Sequence, residues 1–100
     1  MSINIKIHNS YRDVISLCDS NLIGKKFEEG KKQLDIRENF YKGEELKDEE
    51  IAEILKSKSK EDSTFNIVGD KAIKIALQSE IISEGSISYI ALIPYALKLI

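Results

Sequence analysis

The stretch SINIKIHNSYRDVISLC, residues 2–18, decides the fold. Ile3, Ile5 and Ile7 alternate with Asn4, Lys6 and His8. A period of two in β-branched residues reads as a strand over residues 2–8 with one apolar face. Asn9 to Asp13 is a run of turn formers, and Val14 to Cys18 is a second short apolar run. Together they predict an antiparallel hairpin with a loop of about five residues, an ordinary hairpin length.

Outward from this hairpin the chain changes period. Asp19 and Ser20 are suited to cap a short helical turn carrying Leu22 and Ile23, with Gly24 ending it and Gly30 marking another turn. Gln33 to Arg37 alternates again and reads as a third strand. Asn39 to Gly43 reads as a loop bearing Phe40 and Tyr41. From Asp48 to Lys58 the apolar residues Ile51, Ile54 and Leu55 fall at i, i+3 and i+4, the spacing of a helix face. Asp48 is placed as its N-cap, and Glu49 and Glu50 sit where the helix dipole favours negative charge. Ser57 to Ser63 reads as a mobile polar linker. Phe65 to Val68 is a buried strand. Gly69 and Asp70 open a second helix to about Glu80, with Ala72, Ile73, Ile75 and Ala76 inward. A turn around Gly85 leads to closing strands over 87–93 and 95–100, separated at Pro94, which belongs at an edge or bend. The reading is an α+β fold: a small mixed, mostly antiparallel sheet with two main helices packed on it, and a single domain over residues 1–100.

Composition narrows the function classes. The net charge of −2 gives no strong global field, which argues against a globally basic nucleic-acid binder while leaving room for a local patch. A single cysteine, Cys18, precludes an internal disulfide and points to a reducing compartment. MSINIKIHNS lacks the basic and long apolar regions of a signal peptide. The longest apolar stretch, YIALIPYALKLI, falls short of the roughly 20 residues a membrane helix needs and is broken by Pro94. The expectation is a cytoplasmic protein with no membrane partner, no cofactor and no metal site.

Three groups of residues carry chemistry worth weighing. His8, Cys18 and Asp19 supply a base, a nucleophile and an acid, and the predicted hairpin is a way to bring His8 beside Cys18. The plainer reading makes Cys18 a small core residue and His8 a polar strand end. Gly24-Lys25-Lys26 lacks the remaining pattern of a phosphate loop. At Asn66 to Asp70 a strand, a glycine and a helix start could present amides to phosphate, but Asp70 repels it. There, Gly69 more simply permits the turn and Asp70 caps the helix. The carboxylates Glu28, Glu29, Glu44, Glu45, Glu49 and Glu50 read as solvated surface.

Charge segregation is the most suggestive pattern. Lys25, Lys26, Lys31, Lys32, Arg37 and Lys42 lie among Phe27, Phe40 and Tyr41; with four interspersed acids the local charge is +2. Residues 44–53 then hold six acids against one lysine. Cations beside exposed aromatics are what single-stranded RNA recognition uses, phosphate attraction plus base stacking. The same aromatics also read as core residues, with the lysines merely solvating.

An ordered series of short motifs gives a family direction. Lys6-Ile7-His8, V-x-x-x-C-D over 14–19, L-I-G-K-x-F-E-E-G over 22–30, Leu34-Asp35-Ile36, F-Y-x-G-E over 40–44, Asn66-Ile67-Val68-Gly69 and Ile93-Pro94-Tyr95-Ala96-Leu97 resemble the archaeal family called domain of unknown function 424. The resemblance runs from Ile5 to the C-terminus. It departs at Ala91 and Tyr95, where the family often has Gly and His. It implies an α+β domain of an archaeal cytoplasm and a part in RNA or translation biology, and it carries no catalytic residues onto this chain.

The leading expectation is a non-enzymatic module that binds RNA or a ribonucleoprotein such as a ribosomal subunit. Lys25, Lys26, Lys31, Lys32, Arg37 and Lys42 would face phosphates and Phe40 or Tyr41 would stack on a base. Two alternatives stand beside it: a protein–protein module presenting the acidic helix 48–58 to a basic partner, and a small enzyme using His8, Cys18 and Asp19.

Overall fold

The alternation at the N-terminus becomes strand β1 (Ile3–His8), paired antiparallel with β2 (Val14–Asp19) across the 9–13 loop. In a computed structural model describing residues 2–99, the other elements are β3 (Lys26–Glu29), β4 (Lys32–Asp35), α1 (Glu38–Tyr41), β5 (Glu44–Leu46), α2 (Asp48–Ser59), β6 (Thr64–Val68), α3 (Asp70–Gln78), β7 (Ser88–Ile90) and β8 (Ile93–Lys98). Met1 and Ile100 lie outside the described residues, so the last position of the expected closing strand is not described.

Among the described residues, six strands form one sheet in the order β5-β1-β2-β6-β8-β7. Its one parallel pair there is β2 with β6, in the centre; the other four pairs are antiparallel. The α+β reading, mixed and mostly antiparallel, therefore holds.

Each strand's alternation sends its residues to two faces. On the first face Ile3, Ile5, Ile15, Leu17, Phe65, Ile67 and Ala96 are buried against α2 (Ile51, Leu55) and α3 (Ala72, Ile73, Ala76). Burying each large aliphatic side chain contributes about 1.5–3 kcal/mol. On the second face Cys18 and Val68 pack with Leu22, Ile36 and Tyr41, under Phe27, Leu34 and Phe40. That cover is the β3–β4 hairpin and α1.

The hairpin was not legible as such. Residues 26–29 hold one apolar residue, Phe27, so no alternation announces β3. Its pairing is imposed by the two-residue Gly30–Lys31 turn, where Gly30 takes φ +60. The expected strand 33–37 ends at Asp35, and the expected loop at Phe40 and Tyr41 is one helical turn.

Other boundaries also moved for physical reasons. Asp48 is the first helical residue rather than the cap; the N–H of Lys47, before it, donates to the Glu50 carboxylate at 3.3 Å. The expected mobile linker is partly helix. Lys58 is tied to Asp13 at 2.9 Å and to Glu61 at 3.6 Å, and Ser63 is buried. The Lys58 contact holds the Asp13 carboxyl below its ordinary value and raises the Lys58 ammonium. Pro94 lies inside β8 instead of separating two strands; the turn between β7 and β8 is Ala91–Leu92. Pro94 is tolerated because β6 has already ended at Val68. The Pro94 carbonyl accepts the Gly69 N–H at 2.9 Å, and the Gly69 carbonyl takes the Ile73 N–H, so no acceptor waits for the missing proline donor. Ala91 and Leu92 stand at φ +48 and +66. Such backbone favours glycine, so both residues of this turn hold a conformation that side chains disfavour.

Candidate functional site

β1 and β2 hold His8, Cys18 and Asp19, and their register decides the chemistry. His8 lies opposite Val14, while Cys18 lies opposite Asn4. His8 and Cys18 share a face but stand four residues apart along the hairpin, roughly 13 Å. The pairing of base and nucleophile does not form. The Nε2–H of His8 donates to the Phe40 carbonyl at 2.9 Å, and its ring stacks on Phe40 at 4.4 Å. The Ser16 hydroxyl donates to the same carbonyl at 2.8 Å. These groups fasten α1 to the sheet. Cys18 is fully buried, and burial, with Asp19 adding, pushes its thiol up to about 12. A thiol so shifted is not a nucleophile at neutral pH.

Asp19 has another task. Its carboxylate accepts the N–H groups of Lys71 at 3.1 Å and Ala72 at 2.8 Å, capping α3 from the end of β2. Asp19, not Asp70, is thus the cap, and the amides that might have held a phosphate are taken. Burial raises the Asp19 carboxyl above its ordinary value, against the two amide bonds. Gly69 makes room for it: at φ +108, a side-chain carbon there would overlap the Asp19 carboxyl. The parallel β2–β6 pair brings these residues together, a meeting between positions 19 and 69–72 that local sequence does not signal.

The basic set lies together on the second-face cover. Lys25, Lys26, Lys31, Lys32, Arg37 and Lys42 are all exposed. Lys26 pairs with Glu28 at 3.8 Å, Arg37 with Asp35 at 3.0 Å and Lys42 with Glu38 at 3.5 Å, all solvated. Such surface pairs are worth little and re-form easily. Among the described residues, Lys25, Lys31 and Lys32 have no ion-pair partner. The acids of residues 44–53 lie on β5 and on α2, which covers the opposite face. The segregation read along the chain is only partly one across the sheet: α2 lies on the opposite face, but Glu45 pairs with Asn4 on the second face, and Glu28, Glu29, Asp35 and Glu38 share the cover with the cations.

The aromatic part of the expectation is corrected. Tyr41 belongs to the second core; burial pushes its hydroxyl up to about 12, and its ring meets Phe40 edge-on at 4.9 Å. Phe40 is half-buried over His8, and Phe27 packs inward with Leu34. None stands free as a stacking platform. Sequence reasoning also missed Glu29, whose carboxylate accepts the Ala91 N–H at 2.7 Å and so ties the hairpin to the β7–β8 turn.

Among the described residues no three His, Cys, Asp or Glu side chains converge to hold a metal ion. A concavity of about 660 Å³ lies between residues 77–86 and the end of β8, lined by Leu77, Ile81, Ile82 and Leu97; it holds neither Cys18 nor His8. No helix among the described residues is long and apolar enough to cross a membrane.

Comparison with known proteins agrees with this fold. The crystal structure of an uncharacterized conserved protein from Methanopyrus kandleri superposes with a TM-score of 0.87. It is 20% identical, over 98% of this chain and 90% of that one. No curated protein matches in sequence. A family model described as Protein of unknown function (DUF424) matches residues 7–99.

Proposed function

This chain belongs to the DUF424 family of proteins of unknown function, which brings no activity with it, and from its own residues we propose that it is a non-enzymatic module binding RNA or a ribonucleoprotein. The observation that carries the reading is the placement of six exposed cations, against four exposed acids, on one cover of the sheet, with the acidic residues 44–53 on the other elements. A polyanion approaching that cover meets Lys25, Lys31 and Lys32, unpaired among the described residues, and Lys26, Arg37 and Lys42 in pairs that phosphate can replace. Translation, in the cytoplasm and at a ribosomal subunit, is the setting in which such a module would work.

The test is direct binding of a single-stranded oligoribonucleotide at several salt concentrations. Reversing Lys25 and Lys31 to Glu should weaken binding and reduce the slope of log K against log salt by about 0.7 for each phosphate no longer neutralised. An unchanged slope would remove the hairpin from the assignment.

A second reading has its own observation. Glu44, Glu45, Glu49 and Glu53 are exposed at one edge of the sheet and on the outer side of α2, which suits a basic protein partner. Capture from lysate after RNase treatment separates the two, since only a protein partner survives digestion.

A further inference from the structure

β6, a central strand of the six-stranded sheet, is buried on one face and only partly on the other. Its first-face residues Phe65 and Ile67 are almost fully buried. On the second face Val68 is buried, but Thr64 and Asn66 remain partly exposed. The registers place Ser16, Asn66 and Leu97 side by side in one row, with Val14 and Thr64 in the next. Phe40 closes the β1–β2 end of these rows, bonded by Ser16. The hairpin stops over Cys18, Val68, Ile93 and Tyr95. What is left is an open floor of Val14, Thr64, Asn66 and Leu97, and Leu97 is 52% exposed. Among the described residues the Asn66 side-chain amide has no hydrogen-bond partner.

We propose that this open half of the second face is the base-contacting surface for a single-stranded RNA whose phosphates lie along the hairpin cations. The proposal rests on the RNA-binding reading above and extends it. Charge complementarity selects the occupant: on the side where the floor opens, the cover carries six exposed cations against four exposed acids, Glu28, Glu29, Asp35 and Glu38. The floor's chemistry fits unstacked bases. Leu97 offers apolar contact to a base plane, and the Asn66 amide offers a donor and an acceptor to a base edge. The aromatic stack expected of Phe40 and Tyr41 is replaced by a mixed floor of amide and aliphatic groups.

The experiment measures oligoribonucleotide affinity and its salt slope by fluorescence anisotropy, for wild type, Asn66→Ala, Asn66→Asp and Leu97→Ser. Neither side chain is buried, and thermal melting followed by circular dichroism checks that each variant folds. Asn66→Ala should lose about five- to tenfold in affinity, the worth of roughly one hydrogen bond, with the salt slope unchanged. Asn66→Asp should lose more, through added repulsion. Wild-type affinity in all three, while hairpin reversals still flatten the slope, would overturn the floor and leave the RNA reading standing. Absence of wild-type RNA binding would overturn both. A protein partner that is captured after RNase treatment and lost on Asn66→Asp would give the floor to a protein and overturn the proposal.

Discussion

The two faces of the sheet are closed by different material. On the first face, two helices of 12 and 9 residues lay down a continuous apolar stripe. On the second, a hairpin of two four-residue strands and one turn of helix cover only part of the area. There a small apolar cluster is supplemented by single polar bonds: His8 and Ser16 to the Phe40 carbonyl, and the Asn4 carboxamide oxygen accepting the Gly43 N–H at 3.0 Å. The helix-covered face is open mainly at its margins, beside Ile7 and in the concavity past the C-terminal end of α3. A face closed by a small cover keeps some of its floor, and carries whatever charge the cover carries. That difference is the reason the proposed RNA surface falls on the second face.

The largest effect belongs to the first face. Phe65→Ala should cost about 3–5 kcal/mol in urea unfolding, through lost transfer energy and the cavity left behind. A cost below about 1 kcal/mol would mean that the helix-covered face is no firmer than the other.

The next effect tests the joint between β2, β6 and α3. Gly69→Ala should cost roughly 2–4 kcal/mol, part from a left-handed backbone and part from overlap with the Asp19 carboxyl. With Asp19→Ala already in place, the same change should cost only the backbone part, roughly 1–2 kcal/mol. Strict additivity of the two changes in a double-mutant cycle would remove the steric account.

The smallest effect measures the second cover itself. Cys18 lies beneath it, fully buried and with its thiol pushed up to about 12, so alkylation must proceed through an opening of the molecule. Because less apolar surface holds that cover, the opening free energy from labelling should fall below the global value from urea. Equality of the two would show that the cover and the helix face unfold together.

Much of the fold was legible. Ile3, Ile5 and Ile7 announced β1; the 51, 54, 55 spacing announced α2; and Ala72, Ile73, Ile75 and Ala76 proved to be buried positions of α3. The candidate site was legible only in part. The cations lie on the surface, as charge requires, but Tyr41 and Phe40 are taken into packing because an aromatic ring gains more from burial than from solvent. β3 was illegible because one apolar residue makes no period. The Asp19 cap was illegible because a capping side chain is sought next to its helix, and this one stands 52 positions before the amide of Lys71.

By itself the sequence determined which segments extend, which coil, and which residues within a strand share a face. Those follow from steric propensities and period, which act over a few neighbours. Only the tertiary structure decided what lies opposite what: His8 with Val14 instead of Cys18, Asp19 at the amides of α3, six cations on one side of the sheet, and Asn66 left partly open in its centre. Those depend on strand order and register, which a global balance of burial sets and no short stretch of residues encodes.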